Sequence, residues 1–463
     1  MPRVVVLGAG VCGTAAAMML ARDGHDVIVL ERDPAPVPET SDDAWERWKR
    51  DGVGQFRQAH FMQARGRHVI DAELPDVGEA LVEAGAVRLD ALARMPPSIA
   101  DRRPQPGDDD LATLTARRPR LEQVFGSAAE QEPGVEIRRG VEVVAVETRL
   151  STGGTHVTGV RTASGHTIDA DLVVDAMGRR SSLPAMLGDA VSEEAEDCGF
   201  IYYTRFFRSR DGTTPAYLAP MLMPLPSFSL LTLPADAGTW SVTVYIASGD
   251  RPLKRLRDER VWTSLLRACP LHAHWIDGEP ITDVTPMAGV IDRCRGMDGN
   301  GTVTGIVALA DAWACTNPSL GRGMAMGLVH AALLRDVLAQ HADDPPGLAR
   351  AFAAATEAEL MPWYRGTVAL DRARLAAIEA ERAEISPPPP GDPAAQVRAA
   401  LGPAMMSDPT AFRAGLEISG CLTLPQEVLA RAGFAEHVLA VASEHRGGPP
   451  PAPSRKELLE LVA

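Results

Sequence analysis

The sequence predicts an α/β chain in which a parallel-sheet unit is assembled from discontinuous pieces, interrupted by an antiparallel sheet and followed by helices. Three observations predict it. An apolar run at residues 4–7 passes through a glycine turn into a helix. Two later segments, at residues 172–178 and 306–311, repeat the strand-then-turn device. Between them lies a stretch rich in Tyr, Phe, Val and Thr. Buried parallel strands read as continuous β-branched runs, whereas half-exposed antiparallel strands alternate.

Residues 4–7 (VVVL) are too short for a helix and read as a buried strand. Gly8, Gly10 and Gly13 then fit G-x-G-x-x-G, the mark of a Rossmann-like βαβ unit. The first glycine permits the tight turn, the second lets a pyrophosphate approach the backbone, and the third lets helix and sheet pack closely. Residues 14–22 form the helix, whose free N–H groups and positive dipole end would face the pyrophosphate. A second strand at residues 27–30 ends at Glu31, which can accept hydrogen bonds from both ribose hydroxyls and would repel a 2′-phosphate. These residues alone do not choose between FAD and NAD.

The polar stretch 33–50 reads as a surface loop with a short charged helix around Trp45. Gln55, Arg57, Gln58 and His60 precede a helix expected at residues 61–73. That cluster reads as a solvated loop or as one passing the cofactor with Arg57 near phosphate or flavin. Residues 101–110 read as a mobile connection. Arg118 sits just before another helix and is as readily a surface charge as a nucleotide ligand. Residues 135–147 and 159–168 alternate as a small antiparallel sheet, with turn signals at Gly153-Gly154-Thr155 and Ser164-Gly165-His166. Residues 172–174 give a further buried strand before Gly178. Residues 200–207, 227–233 and 240–246 suit an antiparallel sheet, and residues 251–268 a helix. Residues 306–309 supply a third buried strand with Asp311 at its end, and the loop 318–323 leads into an apolar helix at 324–338. Residues 346–384 and 394–443 are helical in pattern, separated by a proline-rich break from Ser386, and GGPPPAPS reads as a linker to a short terminal helix. The expected division is residues 1–190 with 296–345 for the nucleotide, 191–295 for a substrate domain, and 346–463 for a helical C-terminal region.

Composition excludes several classes. Of 463 residues 45% are apolar and 23% charged, an ordinary globular balance, and the net charge of −15 argues against nucleic acid or an anionic membrane as partner. No long uncharged apolar window occurs and the first apolar run belongs to the glycine motif, so neither a membrane span nor a signal peptide is expected and a cytoplasmic protein is implied. The six cysteines lack C-x-x-C pairs, which argues against a disulfide framework or a metal site.

At these residues the chain resembles the flavoprotein monooxygenases of the p-hydroxybenzoate hydroxylase-like fold, over roughly residues 3–340. GAGVCG with Glu31 and Arg32 is similar to that family's ADP motif, ADLVVDAMGRRS to its middle motif, and ALADAWACTNPSLGRGMAMGL to its third. The resemblance implies FAD, with Asp311 on the ribityl chain, Arg118 as an FAD-contacting arginine, and Gly321, Gly323 and Met324 beside the flavin. GVGQFRQAH, DAMGRRS and DCGFIYYTRFFR look closest to the branch that includes flavin-dependent polyether epoxidases. Two departures stand out: Met177 replaces the aspartate of the middle motif's Asp-Gly pair, and Ala310 replaces the glycine before Asp311. The first puts direct reduction by NAD(P)H in doubt, so a separate flavin reductase could be a partner.

The implied function is oxygen insertion, by epoxidation or hydroxylation, into an apolar or aromatic natural-product-like small molecule, using O₂ through a flavin C4a-hydroperoxide. Few catalytic side chains are then needed. The candidates lie on the flavin-edge loop: Pro318, Gly321 and Arg322, with backbone N–H groups at a helix N-terminus facing the reduced flavin and Arg322 either adding its charge or pointing to solvent. Trp313, Cys315 and Asn317 could line the cavity, or Trp313 could simply pack, and Tyr202, Tyr203, Phe206 and Phe207 would split between core and substrate roof. Flavin halogenases share the fold but need a lysine near the substrate, and this chain has only Lys49, Lys254 and Lys456 and no W-x-W-x-I-P. The rival readings are a flavin-dependent reductase of prenyl-type double bonds and a non-catalytic flavin-binding module with the C-terminal helices as its interaction part.

Overall fold

The computed structural model describes residues 2–151, 154–188, 191–297, 303–385, 391–444 and 451–463. The Gly153 turn position, residues 386–390 of the proline break and residues 447–450 of the expected linker lie outside the described residues.

Arg3–Leu7 occupies the centre of a five-stranded parallel sheet, in the order Ile306–Ala308, Leu172–Asp175, Arg3–Leu7, Asp26–Glu31, Val135–Arg139. Both faces are covered, which is why the strands read as unbroken apolar runs. Val4, Val6, Val27, Val29 and Val174 pack beneath the helices Val11–Arg22, Arg118–Gln131 and Gly323–His341. Val5, Leu7, Leu30, Val173 and Ile306 face the antiparallel strands Val143–Ser151 and Gly154–Thr162 through Val157 and Val160. Each such Val or Leu stabilises the fold by about 1.5–3 kcal/mol relative to exposure.

Two expectations are corrected here. Residues 135–147 are not one antiparallel strand: Gly140 turns the chain at φ +72°, so Val135–Arg139 joins the parallel sheet and only Val143–Ser151 enters the antiparallel one. The expected mobile connection at 101–110 is pinned, because Arg413 from a C-terminal helix pairs with Asp108 at 2.6 Å. Smaller shifts follow local chemistry. The helix expected from residue 61 starts at Ala64 because Met62 makes a β-bridge to Leu114. The helix expected at 251–268 divides at Asp258, which caps Glu259–Arg267 by accepting from the N–H groups of Arg260 and Val261.

The insertion carries an antiparallel sheet in the order Leu222–Pro224, Phe228–Pro234, Thr239–Ala247, Phe200–Arg208, with Glu279–Pro280 and Thr285–Met287 at its far edge. One face packs Tyr203, Phe207, Val242 and Val244 on Trp262 and Leu265, and the terminal helix Arg455–Leu461 adds Leu458 to that core. The other face turns toward the parallel sheet. The helices Met361–Arg382, Pro393–Met405 and Pro409–Ser419 then lie across the junction. No helix among the described residues is long and apolar enough to cross a membrane.

Candidate active site

One cavity of about 540 Å³ runs from the first glycine turn to the C-terminal helices. At one end the three motif glycines do three different things. Gly8 adopts φ +104° with the Ala176 carbonyl so close that a Cβ would lie 2.7 Å from it. A Cβ on Gly13 would lie 2.1 Å from the Gly8 carbonyl oxygen, so this glycine is what lets helix and strand touch. A Cβ on Gly10 would meet no protein atom within 4 Å, and Gly10 faces the cavity. That open approach beside the N-terminus of Val11–Arg22 fits a diphosphate.

Glu31 borders the same end, fixed by the N–H groups of Ala9 and Asp33 at 2.9 Å each. Arg50, a residue with no motif to betray it, donates to Glu31 at 2.7 Å and Glu122 at 2.9 Å and orients the carboxylate where a ribose would sit. Arg32 is exposed and lines the cavity beside Gly52. Arg118 lines it too, donating to Glu122 at 2.7 Å and to His60 Nε2 at 3.2 Å. Burial and the Arg118 charge push the His60 imidazole down to about 3, so it is a neutral acceptor at Nε2 while Nδ1 donates to the Gln58 carbonyl. Gln55 and Gln58 also reach the cavity, but Arg57 does not. It donates to the carbonyls of Trp45 and Trp48 and lies over the Trp45 ring, so its assignment to phosphate or flavin is corrected.

Asp311 opens onto the middle of the cavity from the turn Ala310–Ala312. Burial raises its carboxyl above the ordinary range, with Arg118 and Arg179 opposing. The turn needs Ala310 at φ +52°, a left-handed conformation that explains why a glycine is the usual residue there. His330 holds it. Its Nδ1 accepts from the Ala310 N–H at 3.1 Å, its Nε2–H donates to Thr356, and burial pushes it down to about 3, which keeps Nδ1 free to accept. Met177, in place of the usual acid, borders the cavity next to the Gly178 turn, and Asp175 accepts from its N–H at 3.0 Å.

The loop Pro318–Leu320 continues through Gly321, at φ +63°, into Gly323–His341. Pro318, Gly321, Gly323 and Met324 all line the cavity. Arg322 neither joins them nor reaches solvent. Its guanidinium lies over Trp363 and donates to Thr367 Oγ1 at 3.1 Å, which locks the loop to the helix Met361–Arg382. The side chain goes inward because that helix offers an aromatic face and a hydroxyl, partners more than forty residues away in sequence. Cys315 and Asn317 line the cavity, whereas Trp313 packs edge-on against His330. Of the aromatic strand, Tyr202 and Thr204 face the cavity, Tyr203 and Phe207 enter the core, and Phe206 meets Trp45.

Tyr202 donates to Asn317 Oδ1, and Asn317 Nδ2 donates to Asp371 at 2.7 Å. The other Asp371 oxygen is buried without a partner. Burial lifts this carboxyl to about 7, against the Asn317 hydrogen bond, with Asp292 and Glu196 adding to the rise and Arg322 opposing it. The folded state therefore holds the proton more tightly than the unfolded state, and stability falls as pH rises from the ordinary carboxylate value to about 7. Asp371→Asn should remove this slope and stabilise the protein by on the order of 2 kcal/mol at pH 8 relative to pH 5. Thermal unfolding followed from pH 5 to 8 checks it, and a parallel decline in both proteins would reject it.

The far end of the cavity is apolar and was not legible in sequence. Phe61, Leu231 and Leu233 form one wall, and Met405, Phe412 and Leu416 from the C-terminal helices form the other. Arg94 is the charged side chain set in this part of the wall. No lysine lines the cavity, and no metal-binding cluster occurs among the described residues.

The FAD dependent oxidoreductase family matches residues 3–95, which contain the glycine turn, Glu31 and the polar loop. The chain is an FAD-dependent oxidoreductase. This flavoprotein is also matched by the Tryptophan halogenase family over residues 116–199, from the Arg118 helix to the first residues of the aromatic strand's approach. Protein Rv3254 of Mycobacterium tuberculosis is 29% identical over 356 residues, 72% of each chain. Kynurenine 3-monooxygenase of Salinispora arenicola is 30% identical over 176 residues, 38% of this chain and 36% of that protein. Among solved structures, PqsL, a probable FAD-dependent monooxygenase from Pseudomonas aeruginosa, superposes with a TM-score of 0.63 at 18% identity, covering 82% of this chain and 98% of that one. The fold is thus that of the p-hydroxybenzoate hydroxylase-like flavoproteins.

Proposed function

We propose that this flavoprotein is a monooxygenase that transfers one atom of O₂ to a small, largely apolar organic substrate held beyond the flavin-edge loop. The observation that carries the reading is the continuity of one cavity: it begins at a diphosphate cradle, passes Asp311, and opens past Pro318 and Gly321 into an apolar chamber. When bound, reduced FAD supplies the activation of O₂ and the delivery of an oxygen atom.

The chain's own groups bind, orient and keep the site dry. Gly10 and the N-terminus of Val11–Arg22 would hold the diphosphate, Glu31 the ribose and Asp311 the ribityl hydroxyls. The N-terminus of Gly323–His341 opens beside Gly321, so its dipole would favour negative charge at the flavin edge. Arg322 acts at one remove, by fixing the loop to Trp363 and Thr367. The walls of Phe61, Leu231, Phe412 and Leu416 exclude water, which limits wasteful loss of activated oxygen. Kynurenine 3-monooxygenase and PqsL, by their names, support oxygen transfer over the prenyl-reductase and non-catalytic readings. Epoxidation is supported only by the resemblance of the GVGQFRQAH and DAMGRRS segments. The absence of a cavity lysine argues against halogenation despite the family match at residues 116–199.

The test is turnover under ¹⁸O₂ with reduced flavin supplied by NADPH alone or by NADPH with a flavin reductase. Product heavier by one labelled oxygen atom is expected, and faster with the reductase, since the Met177 thioether cannot accept the hydrogen bonds an aspartate would. Product lacking the label, or reduced by two hydrogens, would overturn the proposal.

A further inference from the structure

Ala310 holds a conformation that a glycine would adopt more easily. Its φ of +52° lies in the left-handed region, where a Cβ crowds the following carbonyl, and it stands immediately before the cavity-lining Asp311. Room for the extra methyl comes from Gly327 on the helix Gly323–His341, where a Cβ would lie 2.9 Å from the Ala310 Cβ. Room alone does not fix the backbone, and Asp311 is no better placed than the turn that carries it.

His330 does the fixing. It lies two turns into the same helix, wholly buried, and its Nδ1 accepts from the Ala310 N–H at 3.1 Å. The next link sets the direction of this bond. Nε2 lies 3.0 Å from Thr356 Oγ1, and the one proton of that hydroxyl is donated to the Phe352 carbonyl at 2.7 Å. Thr356 can therefore only accept from the ring, Nε2 carries the proton, and Nδ1 is left bare for Ala310. With a backbone donor at one end and a backbone carbonyl at the other, the chain of bonds has a single polarity. The ring is also held in place, since Phe352 stacks on it at 4.7 Å and 10° while Trp313 meets it at 5.3 Å and 73°. Neither His330 nor any residue of the helix Pro345–Glu359, which carries Phe352 and Thr356, lines the cavity.

We infer that His330 is a positioning residue for the flavin site: held in one tautomer by Thr356, it fixes the left-handed Ala310 and so holds the Asp311 carboxylate ready for the ribityl chain. The inference rests on the proposed contact of Asp311 with FAD. A turn deprived of its acceptor spends part of its time in other conformations, and the apparent affinity for FAD falls by that fraction. Two residues outside the cavity thus set part of the cofactor's affinity, and the same contact explains how an alanine is tolerated at this turn.

The experiment is FAD dissociation from the purified holoprotein on dilution, followed by flavin fluorescence, with thermal midpoints recorded alongside. His330→Asn places Oδ1 where Nδ1 stood and keeps an acceptor for Ala310, whereas His330→Gln reaches toward Thr356 and leaves the Ala310 N–H without one. Both lose the same ring, so a role in packing alone would weaken them alike. His330→Gln should hold FAD about 10-fold or more weakly than His330→Asn, the order expected for stranding a buried N–H. Ala310→Gly added to His330→Gln should recover affinity, because glycine adopts the turn without strain. Thr356→Val keeps the shape of the side chain and removes the acceptor for Nε2; it should weaken FAD several-fold, and it answers if neither His330 variant folds. Equal affinity of the Asn and Gln variants, no recovery from Ala310→Gly, or wild-type affinity in Thr356→Val would overturn the inference. Asp311→Ala separates the two readings. Wild-type affinity there would sink the Asp311 contact and this inference with it, whereas a loss there with none in His330→Gln would sink this inference alone.

Discussion

Gly13→Ala is expected to yield a destabilised protein that retains less than about a tenth of the wild-type flavin. The added methyl would lie 2.1 Å from the Gly8 carbonyl oxygen and 3.2 Å from the Ala176 methyl. Neither obstacle is a flexible side chain end: one is the backbone of the turn and the other belongs to the neighbouring strand's exit. Relief requires the helix Val11–Arg22 to lift from the sheet, an overpacking penalty of about 3 kcal/mol that also misplaces the N–H groups facing the diphosphate. Gly10→Ala provides the contrast. Its methyl meets no protein atom and projects toward the cavity, so the protein without flavin should be as stable as wild type while FAD binds at least tenfold more weakly. Flavin-to-protein ratio and chemical denaturation of stripped protein give the two readouts. A full flavin complement in Gly10→Ala, or undiminished stability in Gly13→Ala, would refute the division of labour between these glycines.

Asp236→Ala is expected to destabilise the protein by about 3–5 kcal/mol, the range for stranding a buried charge. Asp236 is fully buried at the end of Phe228–Pro234 and receives the N–H of Arg117 at 2.6 Å and its guanidinium at 2.6 Å, with Arg120 at 2.7 Å. Arg117 and Arg120 begin the helix that also carries Arg118, so this carboxylate ties that helix to the inserted antiparallel sheet. Burial works to raise its pKa, but the Arg117 hydrogen bonds and the two guanidinium charges outweigh it and hold the carboxyl below its usual range. The sign follows. Its contribution is complete above the ordinary carboxylate value and is lost as pH falls through the lower, folded value. Asp236→Asn should therefore be far less stable than wild type at pH 7 and approach it in strong acid. Equal stability of the two proteins at pH 7 would show that the pair merely balances its desolvation.

What could be read from the sequence divides along a physical line. The glycine turn, its flanking strands, Glu31 and the Asp311 turn were legible because the residues that define each of them lie together in one short stretch of sequence. The alternation that separates Tyr202 and Thr204 from Tyr203 and Phe207 was legible as a period, but which face meets the cavity depends on the whole sheet. Arginines defeated the reading in both directions. Arg57 and Arg322 sit in promising segments and point elsewhere, toward the Trp45 carbonyl and the Trp363 ring, while Arg50 and Arg94 carry no motif and reach the cavity. A long side chain finds its partner across the fold, and no local pattern records that distance. The same holds for Phe412 and Leu416, which wall the chamber from a helix that sequence alone marks only as helical in pattern.

The order of strands in the parallel sheet sets a timetable for synthesis. Arg3–Leu7 leaves the ribosome some three hundred residues before the sheet's far edge, Ile306–Ala308, and Asp311 beside it. Until then the glycine turn exists without the Asp311 carboxylate that lines the same cavity, and the cavity has no Phe412 or Leu416 to close it. Contacts of such long sequence separation form slowly. The cavity is therefore complete only once strands and helices separated by some four hundred residues have met, so its closure waits on the C-terminal helices rather than on the glycine turn.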